Sequence, residues 1–373
     1  MRELNGKTAL FLFLTGCFVV TTIYAQDKPS PQELMDGIGS LMEGKTPDGH
    51  TIGKEDAWSK VLALREELGK CGGQAVPEIE ARIKAEKDPR TRSVFLYALG
   101  RIPGESVDKI LLGYFCFDQS MASTAGMQLT WRTEHNGPFR FVVPDEQIDA
   151  MLEMVRKRPV FDIDHVLRVL GMCALNAPGP IGETMIARFA VEVKRPAPDG
   201  GAVGGAYVSP RVYMLNTFLL AFGYMKERMV APLRAAHEKA REDNDQELVK
   251  WFSMALGDCG DPSVAGYLEE MLMNEQDRYV RCAAIRPYAS SAGQKAIPLL
   301  LKLLEDKTKT EYQMFCEEAK YIIRGVSHDT LVDLVQRITG NSVDSWEETL
   351  KVARKLAEQQ GATVEGKGAA VSP

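Results

Sequence analysis

The sequence predicts an all-α fold: a right-handed α-solenoid of antiparallel helix pairs, with about 15–17 helices at roughly two per 33-residue unit. Three observations predict it. The first is a recurring phrase of apolar stripe, small residue, Gly, turn, Val and Leu. It reads Tyr97-Ala98-Leu99-Gly100 with Val107 and Ile110, Phe222-Gly223 with Val230 and Leu233, and Leu256-Gly257 with Val264 and Leu268. The second is a Pro placed near the start of an amphipathic helix, in Ala75-Val76-Pro77, Val230-Ala231-Pro232 and Ala296-Ile297-Pro298. Proline there gives up only an amide hydrogen that has no partner inside the helix. The third is a set of helix starts. Ser30-Pro31 with Glu33 forms a capping box, and Asp88-Pro89 and Asp261-Pro262 each offer a cap followed by a first-turn proline.

Residues 1–25 read as a leader. Arg2 and Lys7 precede an almost wholly apolar run from Thr8 to Tyr24, and Ala25 is the small residue before Gln26. This is the layout of a cleaved secretory signal. A second reading stays open: Leu14-Thr15-Gly16-Cys17 resembles a lipoprotein signal, with Cys17 the lipidated residue. A membrane would then be met only through the leader or this anchor. Residues 26–54 read as a linker with a short helix, 55–340 as the solenoid, 341–360 as a C-terminal helix and 361–373 as a disordered Gly/Ala-rich tail. Within 55–340, two stretches interrupt the period and are expected as insertions, 117–145 and 194–210.

A typical pair is legible between Asp245 and Asn274. Leu248, Trp251, Phe252, Ala255 and Leu256 form one apolar face. Gly257 and Gly260 are expected to break that helix, and Val264, Tyr267, Leu268, Met271 and Leu272 are expected to line the next one. These units resemble HEAT repeats, and most of all the short bacterial variety also present in phycobilin-lyase-type proteins. Arg281-Cys282-Ala283-Ala284 after Val280 is similar to that family's Val-Arg-x-x-Ala-Ala helix. The resemblance implies a curved stack that binds macromolecules, most often proteins, on its concave side. It also implies an alternative, because relatives of this repeat type host chromophore-attachment chemistry.

Composition narrows the function. The chain has 373 residues, 45% of them hydrophobic and 26% charged, and a net charge of −6. An acidic balance argues against a general nucleic-acid binder. Cys71, Cys116, Cys173, Cys259, Cys282 and Cys316 form no CxxC pair. They read as buried free thiols, with one or two disulfides as the alternative in an oxidising compartment. The five histidines show no metal-ligand spacing, and Asp162, Asp164 and His165 read as a helix start rather than a metal cluster. No cofactor is expected.

The best candidate site is the Trp131–Phe141 stretch. Trp131, Arg132, His135, Phe139, Arg140 and Phe141 are residue types that anchor protein interfaces. The competing reading is that these aromatics fold the insertion back onto the stack. The sequence therefore reads as an exported, periplasmic or extracellular HEAT-type scaffold that binds a protein without catalysis. The alternatives are a lyase-type or small-ligand protein, needing Cys116, Arg132 and His135 in one pocket, and a structural subunit of an envelope assembly. N-terminal sequencing of the mature protein is expected to start at Gln26; a blocked, lipid-bearing Cys17 would overturn plain cleavage.

Overall fold

The computed structural model describes residues 29–159, 162–173, 175–196, 210–306, 322–341 and 345–360. The expected leader, most of the 194–210 insertion, Cys316 and the tail from 361 lie outside them. The described residues are helical. Their only β-pairing is an isolated antiparallel bridge between Lys45 and Thr51. Two units divide the chain, residues 1–107 and 108–373.

The first unit opens with α1 (Pro31–Met42), started as its sequence dictates. Ser30 Oγ accepts from the Glu33 amide at 3.2 Å, and the Ser30 amide donates back to Glu33 Oε2 at 2.7 Å. Leu34, Met35, Ile38 and Leu41 are buried. They place α1 against α2 (Lys54–Gly69) and α3 (Val76–Ala85). The short helix expected in a linker is thus a packed member of the first stack. Helix α4 (Pro89–Arg101) is capped by Asp88, which accepts from the Thr91 amide at 2.8 Å. It lies against both α2 and α3.

The second unit holds α5 (Glu105–Phe117), most of which belongs to it, α6 (Ala122–Asn136), α7 (Asp145–Lys157), α8 (Asp164–Gly171), α9 (Pro178–Lys194), α10 (Pro210–Met225) and α11 (Glu227–Glu242). They are followed by α12 (Gln246–Asp258), α13 (Ala265–Asn274), α14 (Arg278–Ala292), α15 (Ile297–Leu303), α16 (Ile322–Thr339) and α17 (Trp346–Glu358). Alternate helices are neighbours. One layer runs α6, α8, α10, α12, α14, α16, each packed on the next. Across from it, α7 meets α9, α9 meets α11, and α15 meets α17. This is helix-pair stacking, in which no pair covers its own apolar face. The cross-layer core centres on Phe189 of α9. Its ring lies 5.4–6.5 Å from those of Phe218, Phe222, Trp251 and Phe252 on α10 and α12.

Three details of the repeat phrase differ from expectation. Gly257 does not break its helix: α12 continues to Asp258, and Gly260 makes the turn at φ +84°. The helical glycines instead mark close approaches within a layer. A Cβ on Gly257 would sit 2.9 Å from the Pro287 carbonyl oxygen of α14, and one on Gly171 would sit 2.7 Å from the Ala221 carbonyl oxygen of α10. Pro77 and Pro298 occupy first turns as expected, each after a 3-10 turn, but Pro232 lies well inside α11. There the backbone before the proline has continued as α-helix, so Pro232 removes an internal hydrogen bond. Finally, Asp261 does cap, but its side chain starts the 3-10 turn Pro262–Val264 that leads into α13.

The motif arginine has a structural task. Arg281 Nε donates to the Leu272 carbonyl at 3.1 Å, closing the C-terminus of α13. Arg92 repeats this on the Ile83 carbonyl of α3 at 3.1 Å, and Arg188 on the Val155 carbonyl of α7 at 2.9 Å. The last carbonyls of a helix lack internal partners and carry partial negative charge, so a guanidinium there answers both.

Gly171→Ala is expected to lower stability by about 1–3 kcal/mol, because the methyl meets backbone that cannot yield. Gly325→Ala, in α16 with no described atom beyond its own stretch of helix within 4 Å of the added methyl, is expected to raise stability through helix propensity alone. Urea unfolding of both variants checks the pair; equal effects would refute the close-approach reading.

Candidate protein-binding surface

The stretch 117–145 is mostly not an insertion. Helix α6 takes up Ala122–Asn136 and packs on α8 as a regular layer member. Its buried face escaped a hydrophobicity reading because much of it is polar. Gln128, Thr130, Arg132 and Thr133 are buried beside Met121, Ala125 and Leu129. Most of these polar groups are satisfied locally. Thr130 Oγ1 donates to the Gly126 carbonyl at 2.9 Å, and Thr133 Oγ1 to the Thr130 carbonyl at 2.9 Å. With its proton so used, the Thr130 hydroxyl accepts from His165 Nδ1 at 3.1 Å, tying α6 to α8.

The six candidate residues separate into two groups. Arg132, Phe139 and Phe141 are buried. The Arg132 guanidinium pairs with Asp108 at 2.6 Å, and the two phenylalanine rings lie 5.4 Å apart, with Lys109 Nζ 5.0 Å above Phe141. These three therefore pack the segment onto the unit and are not exposed anchors. Trp131, His135 and Arg140 face outward to different degrees: Trp131 is partly exposed, and His135 and Arg140 are exposed. His135 Nδ1 donates to the Trp131 carbonyl at 2.7 Å and its ring stacks on the indole, with centroids 4.5 Å apart. That bond leaves Nε2 as the outward nitrogen. Met127, 45% exposed, stands one turn before Trp131. Met127, Trp131 and His135 follow one another at i, i+4 and i+8, so they form a single stripe on the outer side of α6.

Beyond α6, residues 137–144 form no strand, although Arg140–Val143 alternates in the sequence. Burial does alternate, with Phe139, Phe141 and Val143 inward. The sequence reading missed what holds this segment. Asn176 is buried, and its amide grips both backbone groups of one residue. Oδ1 accepts from the Val143 amide at 3.0 Å and Nδ2 donates to the Val143 carbonyl at 2.7 Å. The Phe139 amide donates to the Met172 carbonyl at 3.1 Å, and Arg228 closes the loop from outside by donating to the Asn176 carbonyl. An Asn between Leu175 and a Pro-containing helix start carries no signal in sequence that separates it from a turn residue.

The thiol–imidazole–guanidinium arrangement required by a lyase-type site does not assemble. Cys116 donates toward the Gln147 carbonyl at 3.7 Å, and burial pushes its thiol up to about 12, which disfavours the thiolate that a nucleophile needs. Arg132 is committed to Asp108, and His135 stands at the surface. Cys71, Cys116, Cys173, Cys259 and Cys282 are all free thiols, and burial also raises Cys173, Cys259 and Cys282. Asp164 begins α8 but caps nothing; it accepts from the Thr217 hydroxyl at 2.8 Å and pairs with Arg168. Among the described residues no group of three or more His, Cys, Asp or Glu is placed to hold a metal ion. No helix among them is long and apolar enough to cross a membrane.

The sequence model of the HEAT repeats family matches residues 233–319, from within α11 past the end of α15. Together with the helix-pair stacking among the described residues, this match supports a HEAT-repeat family. HEAT repeats generally mediate protein–protein interaction, and scaffolds built from them are usually non-catalytic. No curated protein matches the chain.

Asn176→Ala is expected to cost about 1–3 kcal/mol by stranding the buried Val143 amide and carbonyl. Amide hydrogen exchange should accelerate across 138–144 while α9–α12 stay protected. Unchanged exchange there would remove Asn176 from this role.

Proposed function

We propose that the chain is an exported HEAT-repeat scaffold that binds a protein partner through the outer stripe of α6 and the segment after it, without acting chemically on that partner. One observation carries the reading: Met127, Trp131 and His135 share one helix face, with the indole and imidazole already stacked. A pre-stacked pair loses little side-chain freedom on binding, which is what an interface anchor requires. The neighbouring Arg140 and Val142 are exposed as well, and Val142 is 62% exposed despite its apolar side chain. Support for export comes from the apolar run Thr8–Tyr24 behind Arg2 and Lys7, and an exported chain would meet its partner in the periplasm or outside the cell. The net charge of −6 favours a protein over a nucleic acid.

The test replaces Met127 with a photo-crosslinking residue in the full chain, irradiates the native envelope fraction and identifies adducts by mass spectrometry. The same residue at Lys239, exposed on α11, serves as the control. A protein adduct at 127 that is absent at 239, and that falls by about tenfold or more with Trp131→Ala, is the expected result; tenfold corresponds to the loss of one modest anchor. Equal adducts at both positions, or none at 127, would overturn the proposal. Thermal unfolding of Trp131→Ala separates lost binding from lost folding.

A further inference from the structure

The segment from Pro138 to Pro144 is held at two points and open between them. Phe139 is tied through its amide to Met172, and Val143 through both backbone groups to Asn176. Between these ties, the amides and carbonyls of Arg140 and Val142 make no hydrogen bond to any described residue. Their side chains point outward, while Phe139, Phe141 and Val143 are buried. Main-chain donors and acceptors held in place at a surface are a template for another chain. Two anchors fix this one, so it does not have to be ordered when a partner arrives.

The flanking side chains narrow the partner further. The Arg140 guanidinium is exposed and has no carboxylate or aromatic partner among the described residues. Lys109, over the ring of the adjacent Phe141, is on the same unit and adds positive charge. Val142 and Leu175 are 62% and 56% exposed, and Leu175 immediately precedes the Asn176 that grips Val143. Backbone groups open to pairing, a guanidinium in want of an anion and two exposed aliphatic side chains thus occupy one short surface.

We infer that Arg140–Val142 is a docking edge for an extended peptide segment of the partner, one carrying a carboxylate side chain close to an apolar residue. This rests on the protein-binding reading above and specifies its partner. Main-chain hydrogen bonds to Arg140 and Val142 supply sequence-independent affinity, and Arg140 with the Val142–Leu175 pair supplies selection. A charge-assisted bond from the guanidinium to a carboxylate is the strongest single contact available there.

The experiment pans linear random-sequence peptides displayed on phage against the full chain, then measures the enriched peptides by fluorescence anisotropy. Enriched sequences are expected to carry Asp or Glu within a few positions of Val, Ile or Leu. N-methylation of alternate peptide amides should weaken binding by about tenfold or more, the worth of a lost hydrogen bond at an interface. Arg140→Glu should do the same, and exchanging the peptide's acidic residue for Lys should restore binding to that variant. Val142→Pro, which removes one open amide, gives a second reading of the backbone contribution, with circular dichroism confirming the fold. Peptides indifferent to N-methylation and to Arg140→Glu, no enrichment, or enrichment of helical peptides that respond only to Trp131→Ala would each overturn the inference. If Arg140→Glu and Val142→Pro leave crosslinking from position 127 intact while Trp131→Ala abolishes it, the docking edge fails and the protein-binding reading stands.

Discussion

How closely successive helices of one layer approach each other is the constraint on which the rest of this structure depends. At Gly171 and Gly257 the helix backbone lies against the Ala221 and Pro287 carbonyls of the next helix, with no room for a methyl group. Such contact sets the spacing between repeats, and that spacing lets the cross-layer aromatics around Phe189 interdigitate with Phe218, Phe222, Trp251 and Phe252. Interiors are packed as densely as organic crystals, so a layer spacing wrong by a methyl would open voids throughout the row. The glycines act here by lacking a side chain. Flexibility matters instead at Gly260, where the turn demands a positive φ.

Polar side chains then stitch what apolar contact has brought together. Short helices leave many terminal carbonyls without partners, and a stack of short helices multiplies the problem. Arg92, Arg188 and Arg281 answer it by reaching to the ends of α3, α7 and α13. In each case the arginine lies on a later helix, so one contact both finishes a helix and fixes its neighbour. Asn176 applies the same logic to irregular chain, giving Val143 the donor and acceptor that a strand partner would have supplied. A large part of the candidate surface is therefore defined by buried polar groups behind it.

Parts of that surface were legible in the residues. Trp131, His135 and Arg140 are outward-facing members of the stretch that aromatic and arginine content had singled out. The same content misplaced Arg132, Phe139 and Phe141, because residue type alone does not say which side of a chain faces the core. Burial of an arginine depends on whether a carboxylate waits for it, and Asp108 lies far off in sequence. Helix α6 was obscured for a related reason. Its buried face is rich in Thr, Gln and Arg, which reads as solvent-facing until their partners are known.

The sequence by itself determined the helical class, the pairing of helices and most of their starts. These follow from local rules: apolar spacing at the helical period, caps at Ser30 and Asp88, and prolines at Pro77 and Pro298. Tertiary structure alone decided that Gly257 is a contact rather than a break, that Pro232 lies inside α11, and that the segment after α6 is pinned by Asn176 with its middle left open. The first and the last of those depend on an atom brought near from a distant part of the chain. Local propensity records what a residue prefers, whereas its role is settled by the neighbour that the fold supplies.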